Sequence, residues 1–404
     1  MKILVITQYF WPEDFRINEL VSELKNRGHE IHVLTGRPNY PEGKTYPSYR
    51  KDKKKFMFFD GIPVKRSPIP ARGNNSIRLI INYLSFIIFG TINAISLSRK
   101  HEFDLTFVFE PSPITVCLPA IYLKKVSKIP IIFWVLDLWP ETLQAVGVIK
   151  KKSIVNRLIK RLVKYIYKNC DVILGQSPEF VTKIKRDTPA NVLVEYFPNW
   201  VESDFTNNHL TEDKFFLDKK SVFKIIFAGN IGEAQDFRTI LRGIAMIHHE
   251  VPVQLHVYGD GRKKDWVEKK IIEMNLSNRV FLHGRVPQSE ISKILCSADS
   301  LLVSLRKDPI LDITIPGKLQ TYLSIGKPIL GIASGECSRV ILESNSGLVS
   351  PPGDKNSFHK NIINLYKADQ NLRNEMGKNG SQYANLYFNK DKIIDNLEYI
   401  INRF

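Results

Sequence analysis

Ile3 to Ile6 is an uninterrupted apolar run rich in β-branched side chains, the pattern of a strand covered on both faces of a parallel sheet. From Pro12 the apolar positions change to helical spacing. Ile17, Leu20, Val21 and Leu24 share one face, Glu13 and Asp14 fall in the predicted first turn, and Arg27-Gly28 supplies the stop. Ile31 to Leu34 follows as a second strand, which completes a βαβ unit. Residues 36–76 are rich in Pro, Gly, Tyr and Lys and predict a long loop region of functional character. Residues 103–109, 129–136 and 173–175 are further strands. The pattern then restarts. Strands over 223–227, 254–258, 279–282, 300–305, 328–332 and 347–349 alternate with helices from Asp236, over 289–297 and over 316–324. Such alternation predicts an α/β chain of two Rossmann-like domains with parallel sheets. The boundary is placed in the polar stretch Asn199 to Lys220, giving domains 1–200 and 201–390 and a C-terminal helix over 391–404.

Two stretches depart from this alternation. Residues 79–97 carry no charge and are nearly long enough to cross a bilayer. Arg78, Asn82, Ser85, Asn93 and Ser96 nevertheless recur at helical spacing as a polar stripe, so core, interfacial and transmembrane placements all stay open. Residues 150–168 combine Lys150, Lys151, Lys152, Arg157, Lys160, Arg161, Lys164 and Lys168 with an apolar face of Ile154, Val155, Leu158, Ile159, Leu162, Val163 and Ile166. A basic amphipathic helix of this kind reads as a membrane-surface element, or as an ordinary helix with a solvated basic face.

Charge sharpens the first of these readings. The 404 residues carry a net charge of +17; residues 1–200 hold 31 Lys and Arg against 17 Asp and Glu, whereas residues 201–404 hold 27 against 24. A one-sided positive field attracts an anionic partner, and an anionic membrane surface fits better than nucleic acid, since aromatics do not interleave with the basic run. Cys117, Cys170, Cys296 and Cys337 form no CxxC pair, and the N-terminal apolar run is too short for a signal peptide. The expectation is a cytoplasmic protein, peripheral on the inner face of the cell membrane.

In open α/β sheets ligands bind at the carboxyl ends of strands. Three predicted strand ends of the second half are marked by glycine: Gly229-Asn230-Ile231-Gly232, Gly259-Asp260-Gly261-Arg262 and His283-Gly284-Arg285. Ile315-Pro316-Gly317-Lys318 starts a helix with a cation. Glycine lets backbone amides approach a phosphate, and helix N-termini favour its charge, so four such pieces point to a phosphorylated ligand. In the first half Asp137 and Glu110 stand at strand ends, where a carboxylate can take a proton or orient a substrate. Asp137 could equally cap the next helix.

The order of these pieces resembles the retaining GT-B glycosyltransferases, in particular glycosyltransferase family 4. The residues that carry the resemblance are Phe227-Ala228-Gly229-Asn230, Tyr258-Gly259-Asp260-Gly261, Phe281-Leu282-His283-Gly284 and Pro316-Gly317-Lys318-Leu319-Gln320-Thr321-Tyr322. In the first half Arg27-Gly28-His29 is similar to the family's first helix-to-strand junction, and Asn39-Tyr40-Pro41-Glu42-Gly43 and Val135-Leu136-Asp137-Leu138-Trp139-Pro140 resemble bacterial O-antigen and capsule transferases, of the N-acetylfucosamine type. The resemblance implies two domains facing across a cleft, with the C-terminal helix packing back on the first. It implies a UDP-sugar donor on the second domain and a polyprenyl-diphosphate-linked acceptor on the first.

The match has gaps. The family's diphosphate-gripping Arg and Lys correspond to Asn230 and Gln235, and its paired glutamates fall near Ile313, beside Asp312, and on Thr321. Lys318 and Arg262, with Gly232 and Gly317 amides, become the expected diphosphate group, with Arg306 in reserve. Gln320 or Thr321 is expected at the ribose, and Gly229, Asn230, Gly259 and Arg285 complete the donor set. Asp137, Glu13 and Glu110 are the catalytic candidates; Tyr9, Arg16 and Tyr40 are the acceptor-side ones. No Asp-x-Asp pair occurs and the nine histidines form no evident ligand cluster, so neither a metal nor a further cofactor is expected. A nucleotide-sugar epimerase of the same architecture and a non-catalytic assembly protein are the competing readings.

Overall fold

In the computed structural model the described residues are 1–73, 75–145, 147–201 and 222–404. They form two compact units, Met1–Phe197 together with Leu397–Phe404, and Pro198–Asn396. Most of the predicted boundary stretch, residues 202–220, lies outside the described residues.

The first unit contains strands β1 (Lys2–Thr7), β2 (Glu30–Thr35), β3 (Phe58–Phe59), β4 (Ile62–Arg66), β5 (Leu105–Glu110), β6 (Ile131–Val135), β7 (Val172–Gly175) and β8 (Leu193–Tyr196). Its helices are α1 (Arg16–Asn26), α2 (Pro47–Lys51), α3 (Ser76–Ser98), α4 (Leu118–Ser127), α5 (Glu141–Ala145), α6 (Ile154–Asn169) and α7 (Pro178–Asp187). The sheet order is β3-β4-β2-β1-β5-β6-β7-β8, parallel except for the β3–β4 hairpin. Every residue of β5 and β6 is buried, which is why β6 reads as an unbroken apolar run and β5 departs from one only at Thr106 and Glu110. The winding direction reverses at β1, so the switch point lies between β1 and β5. Their carboxyl ends deliver Tyr9 and Glu110 to one place, where such folds bind ligands.

One expectation needs correction here. The first helix starts at Arg16, not Pro12. Glu13 is pulled out of a helical turn because its carboxylate accepts amides from Phe10, Asn39 and Tyr40, and Asn18 further ties down Trp11 and Glu13. The uncharged stretch is α3, and it is not a core helix. Apart from the exposed Arg78, its polar stripe turns towards the protein: Asn82 accepts from Gln8 Nε2 at 2.8 Å and donates to the Pro70 carbonyl at 2.6 Å. Asn93 donates to Ser67 Oγ at 3.1 Å. Most of its large apolar side chains are exposed. At the other end of the chain, Glu398 pairs with the buried ring of His29 at 2.8 Å.

The second unit has strands β9 (Phe223–Ala228), β10 (Val253–Tyr258), β11 (Val280–Gly284), β12 (Ser300–Ser304), β13 (Ile329–Ile332) and β14 (Gly347–Ser350). They form one parallel sheet in the order β11-β10-β9-β12-β13-β14. Alternate side chains enter cores on its two faces: Ile225 and Phe227 on one, Ile226 and Leu301 on the other. Its switch point lies between β9 and β12. The loop after β9 packs backbone to backbone on the loop after β10. Gly229 donates to the Tyr258 carbonyl at 2.9 Å and Ile231 to that of Asp260 at 2.8 Å. A Cβ on Gly259 would stand 2.0 Å from the Gly229 carbonyl oxygen, and Gly259 has φ +133. Gly259→Ala is therefore expected to destabilise the protein by roughly 2–4 kcal/mol, from clash and backbone strain together, read as a lower urea midpoint.

Candidate active site

In the first unit the site is assembled from Glu110, Asp137, Ser112, Tyr83, Tyr9, Arg72 and Tyr40. Glu110 closes β5 and is fully buried. Its Oε2 accepts the Asp137 amide at 3.2 Å, while Oε1 has no hydrogen-bond partner. Burial, and then the neighbouring Asp137 carboxyl, push its pKa well above the usual carboxylate range. Asp137 lies two residues beyond β6 and is partly buried. Burial raises its pKa to about 7, against a hydrogen bond with the Ser112 side chain. Ser112 has φ +112, a region that costs a non-glycine residue about 1–3 kcal/mol. Such strain persists where surrounding structure dictates it, here beside the carboxyl pair.

Tyr83 of α3 interacts with both Ser112 and Tyr9. The Tyr9 hydroxyl is buried and raised in pKa, first by burial and then by Tyr83. Its ring packs on Phe15 at 5.5 Å and Tyr40 at 5.4 Å, and the Arg72 guanidinium lies 5.3 Å over the Tyr40 ring. The cluster thus combines a buried acid, a carboxyl with a pKa near neutrality, three phenols and one guanidinium. This set can hold a hydroxylated or anionic substrate and accept a proton at pH 7.

Glu13 does not point into this cluster as a free carboxylate. The three amides that hold it, 2.7–3.1 Å away, stitch the β1 loop to residues 39–40, although burial still raises its pKa to about 7. The Arg66 guanidinium donates to the Phe56, Gly36 and Trp11 carbonyls and secures the same loops. Arg16 pairs with Glu19 on α1 at 3.5 Å. Tyr83, Ser112 and Arg72 escaped the sequence reading. Ser112, between Pro111 and Pro113 after a strand, carried a visible signal; Tyr83, inside an apolar helix, carried none. Two of the histidines do come together, contrary to expectation. Glu30, His32 and His101 bring ligand atoms within 4.8 Å of one another, with Lys2 Nζ already 3.1 Å from Glu30.

In the second unit Lys318 stands apart from the other cations. It lies in the first turn of the helix Gly317–Ile325, which Tyr322 fastens to β9 through the Ala228 amide at 2.8 Å. Lys318 Nζ is buried without a hydrogen-bond partner, 3.9 Å from the centre of the Phe227 ring. A Cβ on Gly229 would stand 2.9 Å from it. Burial lowers its pKa to about 7. A cavity of about 200 Å³ in the same unit is lined by Gly232, Glu233, Gln235, Lys263, Trp266 and Arg306, and Lys318 is not part of its lining.

The other donor-side candidates divide. Asn230, Arg262, Arg285 and Gly317 are exposed, and Arg285 pairs with Asp260 at 3.4 Å. The Gly232 amide donates to Gln235 Oε1 at 3.1 Å. Gln320 is buried, and its side-chain amide, oriented as its neighbours dictate, donates to the Pro316 and Gly317 carbonyls. Thr321 is buried one position further on. Lys150, Lys151, Lys152, Arg157, Lys160, Arg161, Lys164 and Lys168 are all exposed around α6, with Lys164 3.4 Å from Asp187.

Two parallel-sheet α/β units, with glycine-built strand ends in the second, define the GT-B class. Comparison with known proteins gives the family. Residues 16–205 match the model described as Glycosyltransferase Family 4, and residues 222–368 match that for Glycosyl transferases group 1. The chain is a glycosyltransferase, with a family 4-type domain followed by a group 1-type domain. It is 30% identical over 270 residues to the probable glycosyltransferase WbjE of Pseudomonas aeruginosa, covering 63% of this chain and 66% of WbjE. It is 25% identical over 345 residues to the putative colanic acid biosynthesis glycosyl transferase WcaI of Escherichia coli (strain K12), covering 81% and 82%. Among solved structures, Anabaena Alr3699/HepE in complex with UDP superposes with a TM-score of 0.72 at 14% identity over 100% of each chain, a likeness of fold.

The carboxyl pair sets a pH signature. Folded Asp137 keeps its proton to about pH 7, whereas the free side chain releases it near 3.8. The native state binds more protons between these values, so this group's contribution to stability falls as pH rises from about 4 to 7. Asp137→Asn should therefore be more stable than the wild type by about 1–3 kcal/mol above pH 7, and equal to it below pH 4, in urea unfolding across a pH series.

Proposed function

We propose that the chain transfers a sugar from a UDP-sugar to a polyprenyl-diphosphate-linked saccharide in surface-polysaccharide assembly, working on the cytoplasmic face of the membrane. The donor sugar in this reading is an N-acetylated 6-deoxyhexosamine such as N-acetylfucosamine, moved with retention at the anomeric carbon. The observation that carries the proposal is Lys318: a buried ammonium without a hydrogen-bond partner, behind a glycine-built strand end, in the first turn of a helix. An anion arriving there gains the cation and the helix N-terminus together. Lys318 thereby stands in for the Arg and Lys that the family pattern places at Asn230 and Gln235. The colanic acid named for WcaI supports a polysaccharide product, and the UDP bound to HepE supports uridine.

In this reading the second unit holds the donor and the first holds the acceptor. The acceptor hydroxyl attacks the anomeric carbon on the face from which the diphosphate departs, which retains its configuration, and the hydroxyl proton passes to Asp137. The bond from that carbon to the diphosphate oxygen breaks, and UDP leaves with the electron pair. Lys318 and the helix amides stabilise the charge that develops on the leaving diphosphate. Glu110, kept neutral by burial, holds the Asp137 backbone in place and lets Asp137 alone take the proton.

Calorimetric titration with UDP tests this, with GDP as the control. Bound diphosphate restores the pKa of Lys318, so UDP binding at pH 7.5 should take up protons, seen as a heat that changes with the buffer's ionisation enthalpy. Lys318→Ala should lose that buffer dependence and bind UDP at least about tenfold more weakly, consistent with loss of a charge-assisted contact. A folded wild-type protein that binds neither nucleotide, or a variant that binds UDP as the wild type does, would remove the proposed donor site.

A further inference from the structure

Helix α3 presents the opposite of a soluble helix. Asn82, Phe86, Gly90, Asn93 and Ala94 face the first unit, and a Cβ on Gly90 would stand 3.3 Å from Pro119 of α4. On the other side Ile77, Ile80, Leu84, Ile88, Phe89 and Ile92 are 38–71% exposed. A continuous apolar face of this length on a folded protein marks a contact surface. It continues sideways. Helix α4 packs against both α3 and α6, exposes Tyr122 and Val126, and reaches α6 through Lys125 Nζ and the Tyr165 hydroxyl at 2.8 Å. The exposed Ile154, Val155 and Leu158 of α6 then lie among the exposed Lys151, Arg157, Lys160 and Arg161.

We propose that α3, α4 and α6 form one lipid-docking surface, with α3 lying in the plane of an anionic bilayer and the α6 cations on its headgroups. Two observations select this occupant. A spanning α3 would have to abandon the Asn82 and Asn93 hydrogen bonds and expose Phe86, so the helix lies on the membrane. A second copy of the chain would bring the same cations against themselves, whereas anionic headgroups complement them. The inference rests on the proposed function only in making this membrane the source of the acceptor; docking stands on the helix faces.

The test is co-sedimentation of the full chain with vesicles of phosphatidylcholine, with and without phosphatidylglycerol. Wild type should bind the anionic vesicles, lose binding as salt rises, and be released by alkaline carbonate. Leu84→Asp, Ile88→Asp and Ile92→Asp together should weaken partitioning at least about tenfold through loss of buried apolar area, with an unchanged circular dichroism spectrum. Lys151→Glu, Arg157→Glu and Lys160→Glu together should abolish the preference for phosphatidylglycerol. Retention through carbonate would overturn the in-plane placement. No vesicle binding, or an α3 variant that binds as wild type does, would overturn the docking surface; a dimer that the α3 changes dissociate, without vesicle binding, would assign the face to a second copy instead. UDP titration of the same variants separates the two readings. Normal UDP binding with failed docking removes only the membrane surface, and normal docking without UDP binding removes only the donor site.

Discussion

Desolvation of charge at the carboxyl ends of parallel strands is the constraint on which both candidate sites turn. The strands themselves are buried on both faces, so polar chemistry is confined to the positions just beyond them. In the first unit β5 and β6 are registered with Glu110 opposite Val135, which sets Asp137 two positions past the pair and brings its amide to the Glu110 carboxyl. Burial disfavours the ionised form of both carboxyls, and for Glu110 the neighbouring Asp137 adds to it, so the site keeps protons. In the second unit the same physics acts with the opposite sign. Lys318 is drawn beneath Gly229, where burial disfavours its ammonium and lowers its pKa to about 7. Each unit therefore holds a group tuned towards pH 7 by burial, one acidic and one basic.

The supporting interactions show why these groups stay put. Glu13 joins three amides from two loops, Arg66 joins three carbonyls from three segments, and Tyr322 bonds both polar groups of Ala228. None of these side chains is positioned to react; each is saturated by backbone partners. They fix the loops from which Tyr9, Tyr40, Gly229 and Lys318 project. The glycines after β9 and β10 serve the same end, since Gly229 and Gly259 are needed for the two loops to touch. Part of the glycine signal at the strand ends is thus packing and only part of it is approach to a phosphate.

This division explains what the sequence could and could not reveal. Alternating apolar runs and helical periodicity are local, and they locate the strands from Ile3–Ile6 onwards and the restart at Phe223. Residues that follow a strand directly, such as Glu110, Asp137 and Gly229, are legible for the same reason. Lys318 was legible through its helix start. Tyr83, Ser112 and Arg72 come from segments separated along the chain, and only the tertiary fold gathers them, Ser112 at Asp137 and Arg72 over Tyr40. Saturation is equally invisible in a sequence. Glu13, Gln320 and Gly232 have the right chemistry for function, yet their hydrogen bonds are spent on neighbouring backbone or side chains. The Glu30–His32–His101 group needed the fold as well, since His101 reaches the start of β2 from beyond α3.

Helix α3 shows the limit most clearly. Periodicity reveals that a helix has a polar stripe, but not which way the stripe faces. Here Asn82 and Asn93 bond the protein, so the apolar side is left outward. One residue along a helix turns the side chain by about 100°, and that single step separates two chemistries. Tyr83 meets Ser112 beside Asp137, while Leu84 is exposed on the apolar face. The carboxyl pair is therefore joined through one helix to the surface proposed to lie on lipid. An acceptor anchored by a polyprenyl tail would keep that tail in the bilayer against α3 while its sugar reached Asp137. Holding the helix in the membrane plane would then orient the first unit and limit the acceptor's search to two dimensions.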